Sequence, residues 1–311
     1  MVDAYNSLFG KKEAVYGTDP ALTGAANAVA CRNLRVKPIV GDKLERNLDK
    51  PTRGAVPTAI TNLRQELSFE LELAGSGAAG TAAPWMEFLE GCGMAAPVLT
   101  AATKAEQKFA ALGTALSSIY FASYRGTERR RCSGARGDLS MIDFTAGAYP
   151  FVGMDFVGLP VLPFDATATA GTDFTRWKNP LEVNTVNTDF LLDGYAAVLR
   201  HFRAKANADV KARRLVGADY IQRGNHAMTV EILIEMPPVA TKNYFTSLVG
   251  NAEVAVQVVH GLVAGNIVQL DASYLQITGV DDAEEDDVAM LKIDAQLNTR
   301  TGQDDLLLTA K

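Results

Sequence analysis

Three histidines (His201, His226, His260) and three cysteines (Cys31, Cys92, Cys132) are the residues from which a catalytic or metal site would be built. No histidine stands near a cysteine or carboxylate at a ligand spacing such as HxxxH or HExxH. The cysteines are odd in number and widely spaced, with no CxxC, so structural disulfides are not expected and a reducing compartment fits. Small hydrophobes packed in the interior are the simplest reading of them. There is no GxSxG, no P-loop and no GxGxxG after a strand. AGSGAAG at 74–80 is glycine-rich but lacks the Lys-Ser/Thr that engages phosphate, and it reads as a flexible loop. A hydrolase needs a nucleophile and a paired base, and so few histidines argue against one. The expectation is no catalytic residue, no metal and no cofactor.

Charge is the other chemistry available. GTERRRCSGARG, with Arg129, Arg130, Arg131 and Arg136, is the densest basic patch. A nucleic-acid surface would interleave aromatics in a basic domain, whereas this chain has a formal net charge of -6. The arginines are therefore expected to meet acidic neighbours, in this chain or the next copy. DDAEEDDVAM at 281–290, with Glu284, Glu285 and Asp286, is the expected complement, on the premise that the two stretches occupy corresponding hairpins. Solvated surface is the competing reading for both.

The elements that would position these groups are mostly strands. At 311 residues, 48% hydrophobic and 21% charged, the chain has room for two ordinary domains. LSFELEL at 67–73 alternates Leu67, Phe69, Leu71 and Leu73 with Ser68, Glu70 and Glu72. MTVEILI at 228–234 repeats the pattern, with Glu231 standing 161 positions after Glu70. Each strand leads through a loop into a short helix ending near glycine, Gly91 or Gly250. Thr81 and Thr241 are the expected N-caps, Pro84 suits a first turn, and the glycines are expected at positive φ. Trp85, Phe88 and Leu89 form one apolar stripe; Tyr244, Phe245, Leu248 and Val249 form the other.

Upstream, residues 33–48 align with 200–215, setting Asp42 against Asp209, Arg46 against Arg213 and Leu48 against Leu215. Read alone, the stretch around 197–206 favours helix, but its counterpart contains Pro38 and alternates, so strand is expected. Downstream, each half gives a hairpin and a closing strand. The first half carries an extra segment near 97–116. The expected organisation is mainly β: an N-terminal arm (1–25), a β-sandwich with a short helix (26–165), a linker (166–180) and a second such sandwich (181–311). The arm is expected to be disordered in a free subunit and ordered on assembly. The N-terminus lacks a basic start followed by an apolar run, and no stretch is apolar over about 18 residues, so neither a signal peptide nor a membrane anchor is expected.

LRVKPIVGDKLERNLDKPTRGAVPTAITNLRQELSFELELAGSG, followed by APWMEFLEGCG, resembles the tail tube (major tail) proteins of bacteriophages. CSGARGDLSMIDFTAGAYPFVGMDFVGLPV is similar to that family's final strands, with Phe156, Gly158 and Leu159 in the pattern. The resemblance covers roughly 29–162 and reaches the second half only through the duplication. It implies a structural virion protein, not an enzyme, whose β-sandwiches join into rings stacked as the tube for DNA ejection. Family members supply six single-domain subunits per ring, so a duplicated chain implies a homotrimeric, pseudo-hexameric ring, as in a siphophage tail. Contractile tails use the same fold class. It further implies assembly in the host cytoplasm, tape-measure and tail-terminator partners, and double-stranded DNA passing without specific binding.

On this reading Glu70, Glu72 and Glu231 are candidate lumen-facing residues, with an outward solvated strand as the alternative. The long loop at 41–60 would reach the neighbouring ring through Lys43, Glu45, Arg46, Asp49, Lys50 and Arg53. A carbohydrate-binding or other β-sandwich binding module is the alternative function. It would want clustered exposed aromatics, and Trp85 and Trp177 are the only tryptophans.

Overall fold

The computed structural model describes residues 6–46, 48–49, 54–167 and 171–311. The first half contains β1 (Asn6–Lys12), a one-turn α1 (Gly24–Asn27), β2 (Ala28–Val29), β3 (Arg32–Leu44), β4 (Ala59–Glu72), α2 (Pro84–Gly91), β5 (Val98–Thr100), β6 (Lys104–Lys108), β7 (Ile119–Arg125), β8 (Glu128–Thr145) and β9 (Phe151–Asp165). The second contains β10 (Thr188–Leu192), β11 (Tyr195–Ala196), β12 (Leu199–Lys205), β13 (Val210–Leu215), β14 (Ala218–Arg223), β15 (Thr229–Glu235), α3 (Tyr244–Val249), β16 (Glu253–His260), β17 (Val268–Glu285), β18 (Val288–Leu297) and β19 (Leu307–Ala310). The protein is mainly β.

The halves share one antiparallel strand order. In the first it runs β2–β1–β7–β8–β9–β4–β3. In the second it runs β11–β10–β16–β17–β18–β15–β12. Each sheet curls into two layers. Phe69 on β4 meets Phe121 on β7 at 5.6 Å, and Phe190 on β10 meets Phe202 on β12 at 6.3 Å, although neither pair of strands is hydrogen-bonded. Even the irregularities repeat: β8 slips against β9 between Leu139 and Met141, and β17 slips against β18 between Ile277 and Gly279. A bulge turns every following side chain to a defined face, so matching bulges fix the equivalence residue by residue.

That equivalence revises the upstream alignment. Opposite Glu70 lies Arg32, and opposite Glu231 lies Arg203, 171 positions apart. The alignment of 33–48 with 200–215 is 167 apart and so is three to four residues out of register. Exposed charges carry no register of their own, and the loop beyond β3 differs from the one beyond β12.

Residues 199–205 form a strand, as the repeat predicts. The helix ends differ from expectation. Ala83 and Asn243 are the N-caps, and the Asn243 side chain accepts from the Thr246 N–H. Gly250 has a φ of -78°, and the left-handed positions are Gly93 and Asn251. Trp85, Phe88 and Leu89 are buried, but Phe245 and Val249 are exposed, so only Tyr244 and Leu248 of the second stripe pack inward. The first helix is covered on a second side by β6, through Gln107 donating to the Met86 carbonyl.

The extra segment is that cover: it forms the β5–β6 hairpin, and β6 pairs with the C-terminal β19, which in turn pairs with β17. The arm, expected to be free, is partly built into the first half. β1 pairs with β7 over its whole length, and Leu8 and Phe9 are 2% exposed. In the linker, Trp177 donates to the Ala28 carbonyl at 2.9 Å and stacks on Phe88. One hydrophobic core runs through both halves.

Candidate functional site

The residues with the most organised chemistry lie on the face of the sheets turned away from the core. Along β4, Leu67, Phe69 and Leu71 are at most 2% exposed, while Glu66, Ser68, Glu70 and Glu72 alternate onto the other face and stay half-exposed. β15 behaves the same way, with Val230, Ile232 and Ile234 buried and Glu231 outward. Glu70, Glu72 and Glu231 therefore share the non-core face.

This face is a lattice of ion pairs. Glu70 accepts from Arg32 Nε at 2.7 Å and from Asn33 at 2.9 Å. Glu66 holds Lys37 and Arg64, and Arg64 also reaches Asp42. Glu231 lies 3.1 Å from His201, and 3.5 Å from both Arg203 and Lys292. Partial burial works to raise the Glu231 carboxyl, but Lys292 and His201 outweigh it and hold it below the usual range. Most arginines and lysines here already hold a carboxylate, which leaves little free positive charge for a phosphate backbone.

The two halves meet through a strand junction on the same sheet. The C-terminal end of β8 pairs with β12: Thr145 with His201, Phe144 with Phe202, Asp143 with Arg203, Ile142 with Ala204. Phe144 and Phe202 are fully buried on the core side. On the other face Arg203 Nε donates to Asp143 at 2.8 Å, and Asp143 is 6% exposed. The result is a single eight-stranded sheet, β3–β4–β9–β8–β12–β15–β18–β17, running through the chain. Among the described residues, β3 pairs with β4 alone, and β17 beyond Ile277 pairs with β18 alone. Both ends of the sheet are open edges. Asp143, Arg203 and Arg32 were not singled out from the sequence; the signal was the recurrence of Arg opposite Glu once the bulges are matched.

The other expected residues lie elsewhere. Lys43 is the next-to-last residue of β3, and Glu45, Arg46 and Asp49 follow the strand, all exposed on the β3–β4 connection. Lys50 and Arg53 fall outside the described residues. Arg129, Arg130 and Arg131 begin β8, just after the β7–β8 turn, whereas Glu284, Glu285 and Asp286 sit at the β17–β18 turn. β17 is the counterpart of β8, so the two clusters mark opposite ends of equivalent strands, not corresponding hairpins. Within the chain Arg130 pairs with Glu128, Arg129 and Arg131 lie over Phe164, and Glu285 takes a forked contact from Arg200.

The reactive residue types are all engaged in structure. Burial raises the Cys31 thiol to about 12 and lifts Cys92 and Cys132 as well. His226 stacks on Phe109 and lies 2.7 Å from Asp305. Among the described residues no group of His, Cys, Asp and Glu could hold a metal ion. The glycine-rich loop docks the halves together: Gly77 N–H donates to the Gly265 carbonyl at 2.8 Å, and a Cβ on Gly75 would stand 2.1 Å from that oxygen. No helix among the described residues is long and apolar enough to cross a membrane.

No curated protein matches the sequence. The phage tail tube protein family does match, over residues 6–299, which spans both halves and both open edges. A duplicated, mainly β chain whose sheet ends in two unpaired edges thus belongs to the phage tail tube protein family.

Proposed function

We propose that three copies of this chain close into a pseudo-hexameric ring, and that such rings stack into the tail tube through which DNA is ejected. The observation that carries this is the eight-stranded sheet, continuous across both halves and open at its two ends. A head-to-tail contact between such edges closes if the rotation per copy divides the circle. Three copies of eight strands would make a 24-stranded barrel, and closure removes every free edge. The non-core face with Glu70, Glu72 and Glu231 would line the lumen, where duplex DNA slides without being gripped.

The β3–β4 connection, exposed at Lys43, Glu45, Arg46 and Asp49, would reach the adjacent ring, with Lys50 and Arg53 proposed to take part. Arg129, Arg130 and Arg131 would meet Glu284, Glu285 and Asp286 between copies. The tube would be assembled in the host cytoplasm as part of a siphophage-like virion, with tape-measure and terminator proteins as partners, and would act without catalysis. Trp85 is buried and Trp177 is half-buried against Phe88, so the tryptophans offer no sugar-stacking platform.

Negative-stain microscopy of the purified chain tests the reading. Rings or tubes with a central hole wide enough for duplex DNA are expected. A persistent monomer that binds glycan would overturn it.

A further inference from the structure

We infer that the joint between neighbouring copies repeats the register of the joint between the two halves, with Arg32 of one copy paired to Asp281 of the next. This rests on the ring reading and assigns its contact.

The matched bulges carry the argument. In β8–β9 the slip at Leu139/Met141 is followed by Ile142, Asp143, Phe144 and Thr145. In β17–β18 the slip at Ile277/Gly279 is followed by Val280, Asp281, Asp282 and Ala283. These four are the counterparts of the residues that receive β12, and their free edge is the one β8 uses for β12. Asp281 and Asp282 are exposed, and Val280 packs against the core only in part.

The complementary edge is β3. Glu70 and Glu231 are equivalent, so Arg32 stands for Arg203 and Cys31 for Phe202. One extra residue, Asn33, is bulged out at a φ of 55°, which makes Leu34 the counterpart of Ala204. Cys31, Arg32 and Leu34 are half-buried, with no strand of the same copy on their far side among the described residues. Transferring the internal register sets Cys31 opposite Asp282, Arg32 opposite Asp281 and Leu34 opposite Val280. In the internal joint Arg203 bridges Glu231 of its own half and Asp143 of the other. Arg32 already holds Glu70, the counterpart of Glu231, at 2.7 Å. Asp281 of the neighbouring copy supplies the counterpart of Asp143. A second copy of this chain is therefore the occupant of each edge.

Charge reversal tests the pairing. Arg32→Asp and Asp281→Arg, each alone, are expected to cut ring and tube formation by about tenfold or more while the free subunit stays folded, melting somewhat lower because the new charge faces Glu70 or Lys292 in its own copy. The double variant, which restores opposite charges, is expected to regain assembly. A second measurement does not depend on the charge variants folding. Leu34→Cys with Val280→Cys places the two thiols on directly opposed positions of an antiparallel pair, about 5 Å apart at Cβ. A short thiol cross-linker should then join separate chains, whereas Leu34→Cys with Asp281→Cys, on opposite faces, should not link. Single reversals that assemble normally, a double variant that stays unassembled, or linking by the wrong-face pair overturns the assignment while wild-type rings keep the ring reading intact. Wild-type protein that forms no rings overturns both.

Discussion

Arg203 shows how one side chain holds a sheet of this kind together. Its guanidinium spans Asp143 on one strand and Glu231 on the next, so the charge is shared across three strands. Asp143 is nearly buried under it, and an unpaired carboxylate there would be costly. Gly158, in the final-strand pattern that carries the family resemblance, answers to packing: a Cβ there would lie 2.2 Å from Cys132 Sγ. His260 is a third case. It is 2% exposed, within 2.8 Å of the Thr188 hydroxyl and 3.1 Å of the Leu181 carbonyl, a setting for a neutral ring. Burial lowers its pKa below the ordinary 6.5, against a smaller opposite effect from the Leu181 carbonyl. As pH falls, the unfolded chain takes up the proton first, so the stability is whole above 6.5 and is lost progressively below it. Urea melts at about pH 7.5 and about pH 5 should show a loss that is smaller in His260→Gln. An equal loss in both proteins would assign the effect elsewhere.

At the scale of elements, the sequence was most readable where burial imposes a period. Alternation at 67–73 and 228–234 gave both strands and the outward side of Glu70 and Glu231. The duplication also decided 199–205 against its helical propensity. What could not be read were contacts made by elements far apart in the chain. The 97–116 segment has no partner in sequence, because β6 pairs with a C-terminal strand about 200 residues away. The arm likewise needs β7 before its apolar residues have anything to cover. Helix caps missed by two residues because Thr81 and Thr241 sit in turns just before the first helical turn. The arginine and acidic clusters were misplaced because a charge run marks a turn without saying which one. The tip of the β3–β4 hairpin carries Lys43, Glu45, Arg46 and Asp49, all exposed. Deleting 44–55 should leave soluble subunits and stop tube growth, as seen by microscopy; tubes of normal length would sink the inter-ring assignment.

For the whole molecule, the lumen proposal turns on balance. The chain is acidic overall, yet its non-core face is not a bare acidic wall, since Glu66, Glu70 and Glu231 are committed to arginine and lysine. Such a wall would offer little free positive charge to a passing polyanion. Reversing Glu70 and Glu231 to lysine would leave Arg32, Arg203 and Lys292 uncompensated. Assembled tubes of that variant should retain duplex DNA at low salt and release it as salt rises, while wild-type tubes retain none. Equal retention by both would place this face outside the lumen.

Phe144 and Asp282 occupy equivalent positions, yet one is fully buried and the other is exposed. The first belongs to a seam that is closed as soon as the chain folds and never sees water again. In the proposed ring the second would belong to a seam that stays wet until a neighbour arrives. In such a ring the duplication would relieve half the seams of any need to be soluble, and let them be greasy. A ring built this way has six similar joints but only three that can come apart, so under load it should fracture into whole chains and never into halves.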